Sequence, residues 1–137
     1  MYLLDTNVLS EIRKSRKANP QVRRWVASVD ADSLYLSVIS IFEMEKGVLR
    51  MERLDRGQGS ALRTWLNTRV IPAFEGRILP VDTEVAICCA SLHVPDPRSD
   101  RDSFIAATGL IHKMTVVTRN TSDFIPTGVP VLNPWEF

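Results

Sequence analysis

The chain is poor in residues that staple a fold or span a membrane. It has two cysteines, Cys88 and Cys89, adjacent in a helix-like stretch. Chain neighbours cannot tie distant segments together, and a lone pair falls short of the four N or S ligands of a structural zinc. They read as small buried apolar residues in a reducing cytoplasm. Long hydrophobic runs are missing too. Uncharged stretches such as Ser33 to Phe42 are far shorter than the roughly 20 apolar residues of a membrane helix. No basic region precedes an apolar core at the N-terminus, which goes straight into Tyr2-Leu3-Leu4-Asp5. A signal peptide is therefore not expected, and the reading is a cytoplasmic protein with no membrane partner. The net charge of +1 neither demands nor excludes nucleic acid. Histidine is scarce as well: His93 and His112 both lie outside the motifs described below, so no histidine general base is expected.

What is present suits a globular α/β protein. Hydrophobic residues make up 45% of the chain, enough for a sizeable core at this length. Short apolar runs alternate with longer helical segments, the pattern of a layered α/β fold. Strands are expected at Tyr2–Leu4, Leu34–Leu36, Ile78–Val81, Thr115–Thr118 and Val129–Leu132. Val22, Trp25, Val26 and Val29 recur at helical spacing behind Pro20. Further helices are expected from Ser40 to about Arg53 and from Ser60 to Phe74, where Pro72 should distort or end the second. Another follows Asp82 or Thr83 as cap, and a last one runs from Arg101 to Lys113. No repeat, low-complexity tract or linker interrupts the chain, so residues 1–137 are expected to form one domain.

Four acids stand in settings that suit a hard-metal site. Asp5 ends an apolar run, and Asp-Thr-Asn is also a good helix start. Glu43 lies early in a helix, where Ser40-Ile-Phe-Glu43 also matches a capping box. Gly47, four residues on, suggests close packing beside Glu43. Asp102 leads a helix whose inward face carries Ile105, Ala106 and Gly109, which places it on the buried side. Asp100, two positions earlier, lies about 200° around the helix and belongs to the loop or cap. Asp123 follows the apolar stretch and polar turn from Thr115 to Ser122. Acids that follow strands on their carboxyl side converge on one edge of a parallel sheet, where open α/β folds bind ligands. Gathered there they repel one another unless a cation sits among them, and oxygen-only ligands suit Mg²⁺ or Mn²⁺.

Leu4-Asp5-Thr6-Asn7-Val8-Leu9-Ser10-Glu11, Ser40-Ile41-Phe42-Glu43 with Gly47, Asp102-Ser-Phe-Ile-Ala-Ala-Thr, and Thr118 through Phe124 resemble the successive motifs of PIN-domain ribonucleases. More narrowly, they resemble the VapC toxins of bacterial toxin–antitoxin pairs, including the FitB-like branch. The likeness runs from Tyr2 to about Phe124, and Gly109 stands where Ala is more usual. The resemblance implies a parallel, mostly five-stranded sheet flanked by helices. It implies that Asp5, Glu43, Asp102 and Asp123 are catalytic and hold Mg²⁺ or Mn²⁺, with Thr6, Asn7, Thr118 and Asn120 supporting them. It also implies an endoribonuclease acting on the tRNA or rRNA class, a cognate antitoxin as partner, a homodimer, and a hetero-oligomer when the antitoxin is bound.

Arg13, Lys14, Arg16 and Lys17 form a basic run that would contact RNA phosphates, or else a solvated face. Arg50, Arg53 and Arg56 form a second basic group after Glu43. Two alternatives stay open. Strand-Asp-x-Asn also resembles the haloacid-dehalogenase phosphohydrolases, although Asn7 replaces the acid expected at the second position. An acidic cluster could equally serve a non-catalytic regulator or binding module.

Overall fold

The computed structural model describes residues 1–137. Five short parallel strands form one sheet: β1 (Tyr2–Leu4), β2 (Leu34–Ser37), β3 (Ile78–Leu79), β4 (Thr115–Val117) and β5 (Val131–Leu132). Their order is β3-β2-β1-β4-β5. The chain therefore steps outward from β1 in one direction, returns, and continues on the other side. β1 and β4 flank the switch point where such sheets bind ligands. Tyr2, Leu3 and Leu4 pair in register with Thr115, Val116 and Val117, and Tyr2 and Leu3 pair with Leu34 and Tyr35 on the other side.

Side chains alternate across the pleat, so each strand feeds two layers. Leu4, Leu36 and Val117 enter a core of 12 buried residues with Val8, Trp25, Met44, Val48 and Leu66. That layer is built by α1 (Thr6–Arg13), α2 (Pro20–Ser28), α3 (Val38–Leu54) and α4 (Arg56–Trp65). Leu3 and Val116 point the opposite way, into a core with Ile105, Ala106, Met114 and Phe124. There α7 (Asp100–His112) packs on the sheet, backed by α6 (Thr83–Ser91), whose Val85 and Cys89 meet Ala107. A one-turn α5 (Ile71–Ala73) and the short α8 (Thr121–Phe124) complete the set.

Several boundaries differ from expectation for identifiable reasons. α3 starts at Val38, not Ser40, because β2 runs directly into it and the Ser37 hydroxyl accepts from the Ile39 amide at 3.0 Å. The Ser40–Glu43 capping box is therefore not formed. Ser40 is buried, its hydroxyl has no partner, and Glu43 is free for other contacts. α4 begins earlier than Ser60, where Asp55 caps it by accepting from the Gln58 amide at 3.1 Å. Ahead of Pro72 the helix widens into a π segment, Leu66–Val70. Proline has no N–H to give and its ring crowds the carbonyl four residues back, so a wider turn relieves both problems. β3 and β5 are only two residues long, and the buried Val129 lies outside β5. On α6 the expected face is narrower: Val85 and Cys89 are buried, whereas Ala86 and Ala90 are exposed.

Gly109 is explained by contact. A Cβ there would lie 2.9 Å from Val129 Cγ2 and 3.2 Å from Val116 Cγ2, so glycine lets α7 sit close on β4. Gly47 is the reverse. A Cβ there meets nothing within 4 Å, so no neighbour explains the glycine. No helix is long and apolar enough to cross a membrane.

Candidate active site

Asp5 lies at the carboxyl end of the central strand and is fully buried. Its amide donates to the Val117 carbonyl at 2.9 Å, which fixes it to the end of β4. Its side chain also caps α1, with Oδ1 accepting from the Thr6 amide at 2.7 Å. The helix-start reading of this triplet thus holds at Asp5 itself. Oδ2 accepts from the Thr118 hydroxyl at 2.8 Å and from Asn7 Nδ2 at 3.4 Å. Asn7 Nδ2 reaches Thr118 Oγ1 as well, at 3.3 Å. Thr118 Oγ1 also accepts from the Asn120 amide at 3.0 Å, so Asn120 contributes its backbone to this network and its side chain adds no further bond. Asn7 Oδ1 is buried beside the network without a partner.

Glu43 approaches from the second turn of α3. Its Oε1 accepts from the Thr6 hydroxyl at 2.8 Å, which joins α3 to α1 beside Asp5. Asp102 arrives differently from the other acids. No strand immediately precedes α7, but α7 runs back against β4, and this puts its N-terminus at the carboxyl edge of the sheet. Ser99 caps it by accepting from the Asp102 amide at 3.4 Å. Asp100 is the first residue of the helix, its side chain 86% exposed and 3.5 Å from His93 Nε2. Asp102 turns inward and is largely covered. The two acids separate as their helical phase requires, although Asp100 lies inside the helix and the cap is Ser99.

Between the three carboxylates lies a residue that motif reading passed over. The Arg101 guanidinium makes ion pairs with Asp5 through Nη2, Glu43 through Nε and Asp102 through Nη1. Burial works against its charge, but the hydrogen bond to Glu43 and the charge of Asp5 hold its pKa above the ordinary arginine value. Burial raises the Asp102 carboxyl, with Asp5 and Asp123 adding to the rise and Arg101 opposing it. A guanidinium is wider than a metal ion and keeps its acceptors apart. As the side chains stand, no three acids, histidines or cysteines close tightly enough to hold an ion directly.

A model of the PIN domain matches residues 2–125. The chain belongs to the PIN-domain family. It is 36% identical to the toxin FitB of Neisseria gonorrhoeae and 35% identical to the VapC ribonuclease Y4jK of Sinorhizobium fredii, with 99% of each chain covered in both cases. The crystal structure of FitAcB from N. gonorrhoeae superposes with a TM-score of 0.91 at 36% identity over the whole of both chains. A structure of FitAB bound to an IR36 DNA fragment gives 0.90 at 37%, covering 100% of this chain and 97% of that one.

In this PIN domain Asp123 sits at the rim. It lies in α8, exposed, and acts on Asp102 through charge without any side-chain hydrogen bond. The basic run lies at the other end of α1 from Asp5, about 12 Å along a helix of 8 residues at 1.5 Å per residue. Lys14 pairs with Glu11 at 3.0 Å, and Arg13 stacks over Trp65 at 5.7 Å. Besides Arg101, Lys46 and Arg50 lie beside the acids, lining a depression with Glu43 and Gly47. His93 faces Asp100, and His112 lies in the last turn of α7, at the opposite end from Asp102. Arg101 did carry one signal in the sequence. A cation in the first turn of a helix opposes the helix dipole and needs a compensating partner.

Proposed function

We propose that this PIN domain is a divalent-metal-dependent endoribonuclease and the toxin of a toxin–antitoxin pair. The observation that carries the reading is the convergence of Asp5, Glu43 and Asp102 around one cation at the β1/β4 switch point. The donor set fits a hard ion: it is all oxygen, it already surrounds a positive charge, and the unpartnered Asn7 Oδ1 lies beside it. Asp5, Glu43 and Asp102 would hold Mg²⁺ or Mn²⁺, and Asp123 would add charge from the rim. Bound there, such an ion supplies a nucleophile at neutral pH and neutralises the phosphate. The chain's own residues do the positioning. Thr118 and Asn7 fix one oxygen of Asp5, and Thr6 fixes one oxygen of Glu43. Lys46 and Arg50 offer charge to an RNA backbone approaching along the depression beside Glu43.

The likeness to the toxin FitB and to the VapC ribonuclease supports an RNA substrate and an antitoxin partner. The tRNA or rRNA class, and an antitoxin that covers the acidic cleft, are what the motif resemblance implies. The homodimer and the antitoxin-bound hetero-oligomer follow from the same resemblance, and light scattering with and without the product of the adjacent gene checks both. The haloacid-dehalogenase alternative loses its basis. Asn7 donates to Asp5 and Thr118 instead of supplying an acid, and both Asp5 oxygens are engaged in hydrogen bonds.

The test uses two acids of one turn. Asp102→Asn removes a charge from the cluster and should lower single-turnover cleavage of a tRNA pool by more than the roughly 10–100-fold typical of an outer hydrogen-bond partner. Asp100→Asn alters an exposed residue and should keep most activity, with stability within about 0.5 kcal/mol of wild type. Circular dichroism controls for folding. An active Asp102→Asn protein would overturn the assignment.

A further inference from the structure

We propose that Arg101 is a stand-in cation. In the metal-free chain it holds Asp5, Glu43 and Asp102 in position, and a divalent ion must displace it to bind. This rests on the metal-dependent reading of the same cluster.

The hydrogen-bond ledger leads there. Asp5 Oδ2 is committed to Thr118 and Asn7, and Glu43 Oε1 is committed to Thr6. Arg101 uses the other two oxygens: Asp5 Oδ1, which also accepts from the Thr6 amide, and Glu43 Oε2. On Asp102, Arg101 takes Oδ1 and leaves Oδ2 without a partner. An ion entering the cluster therefore competes with the guanidinium for the same acceptor atoms. Three carboxylates this close with no cation among them repel one another, and Asp5 is fully buried, so a cation among them stabilises the cluster. Arginine suits an interim one. Its planar fork offers five donors, reaches three acids at once, and is more weakly hydrated than an ammonium.

The guanidinium also has somewhere to go. Arg101 lines a depression of about 300 Å³ with Ile39, Phe42, Lys46 and Phe104, and its side chain is 30% exposed. Arg101 sits in the first turn of α7, at the rim of that depression. Its position there, against the helix dipole, is stabilised by the three acids.

The experiment measures Mn²⁺ affinity by calorimetry and melting temperature with EDTA and with saturating Mn²⁺. The proteins are wild type, Arg101→Ala, Arg101→Lys and Lys46→Ala. A site open in only a fraction of molecules has its apparent affinity reduced by that fraction, so Arg101→Ala should bind Mn²⁺ roughly tenfold tighter or more. Arg101→Lys keeps the charge but cannot bridge three acids, and should fall between. Lys46→Ala removes a nearby charge that is not in the cluster, and should change affinity less than either. Without metal, Arg101→Ala should melt below wild type, and Mn²⁺ should close the gap. The Arg101 Nε–H resonance of wild type should move to a solvent-exposed position on Mg²⁺ saturation.

Equal or weaker Mn²⁺ binding by Arg101→Ala overturns the proposal, as does an Nε–H resonance indifferent to Mg²⁺. If Arg101→Ala folds only with Mn²⁺, that supports it, and Arg101→Lys still carries the affinity comparison. If neither wild type nor Arg101→Ala takes up Mn²⁺, the metal-dependent reading fails with it. Binding by wild type at unchanged affinity across the variants sinks this inference alone.

Discussion

Glu11 shows how much a single side chain can organise away from the chemistry. It is buried near the end of α1, where its carboxylate accepts from Lys14 Nζ at 3.0 Å and from the Asn19 amide at 2.9 Å. Asn19 in turn caps α2, accepting from the Gln21 and Val22 amides at 2.9 and 3.2 Å. One acid thus ties the end of one helix to the start of the next. Chiefly the hydrogen bond from Lys14, then that from Asn19, hold its pKa below the ordinary 4.5. A depressed carboxyl stabilises the fold above its unfolded pKa and loses that contribution as pH falls through the folded one. Glu11→Gln should therefore cost about 0.5–1.5 kcal/mol at pH 7. In urea melts across pH, the difference from wild type should hold above 4.5 and shrink below it. A constant difference down to pH 3 would separate the effect from charge. The same residue shows what sequence alone conceals: in Glu11 to Arg24 the acid looks outnumbered, yet its partners are Lys14 and a backbone amide. Arg101 was concealed more deeply. Its partners Asp5 and Glu43 lie 96 and 58 residues away, and no local period brings them together.

Among the elements, α7 does most to place the site, and its seat on β4 depends on Gly109. The stripe Asp102, Ile105, Ala106 and Gly109 was legible because helical phase is a local property, and the structure buries Ile105, Ala106 and Gly109 while turning Asp102 inward. The reason for glycine at position 109 was not legible, since Val116 and Val129 reach it from other elements. Gly109→Ala inserts a methyl against both valines. Relief of helix entropy is worth about 1 kcal/mol, whereas overpacking costs typically 1–3 kcal/mol, so the net effect should be destabilising. Thermal melts measure the loss, and Val129→Ala in the same chain should recover part of it by opening the nearest contact. A Gly109→Ala protein more stable than wild type would refute the packing argument. Elements without a strong period were read less well. β3 and β5 are two residues each and make few ladder bonds, and the π segment before Pro72 comes from a clash that apolar spacing does not register.

At the scale of the molecule, the four motifs pointed to the parallel sheet and its switch point, and the order β3-β2-β1-β4-β5 realises both. The strand that opens the chain lies at the centre of the sheet, and the bond from Thr118 to Asp5 spans 113 positions. Pairings this distant slow folding, because the intervening loop must close before the contact rewards it. A chain ending at Lys113 lacks β4 and Thr118, and with them the neighbour that fixes Asp5. It should show no cooperative unfolding transition by circular dichroism, whereas the whole chain should give one. A cooperative melt from the shortened chain would show that the β2 half of the sheet folds by itself.

The pairing of β1 with β4 also sets when the cluster can exist during synthesis. A ribosome adds about 5–20 residues per second, so Asp5 emerges several seconds before the strand that must hold it. Throughout that interval the growing polypeptide carries its acids without their geometry. A cell translating this message therefore meets the assembled acidic cluster only after Thr118 has been made, and not gradually along the way.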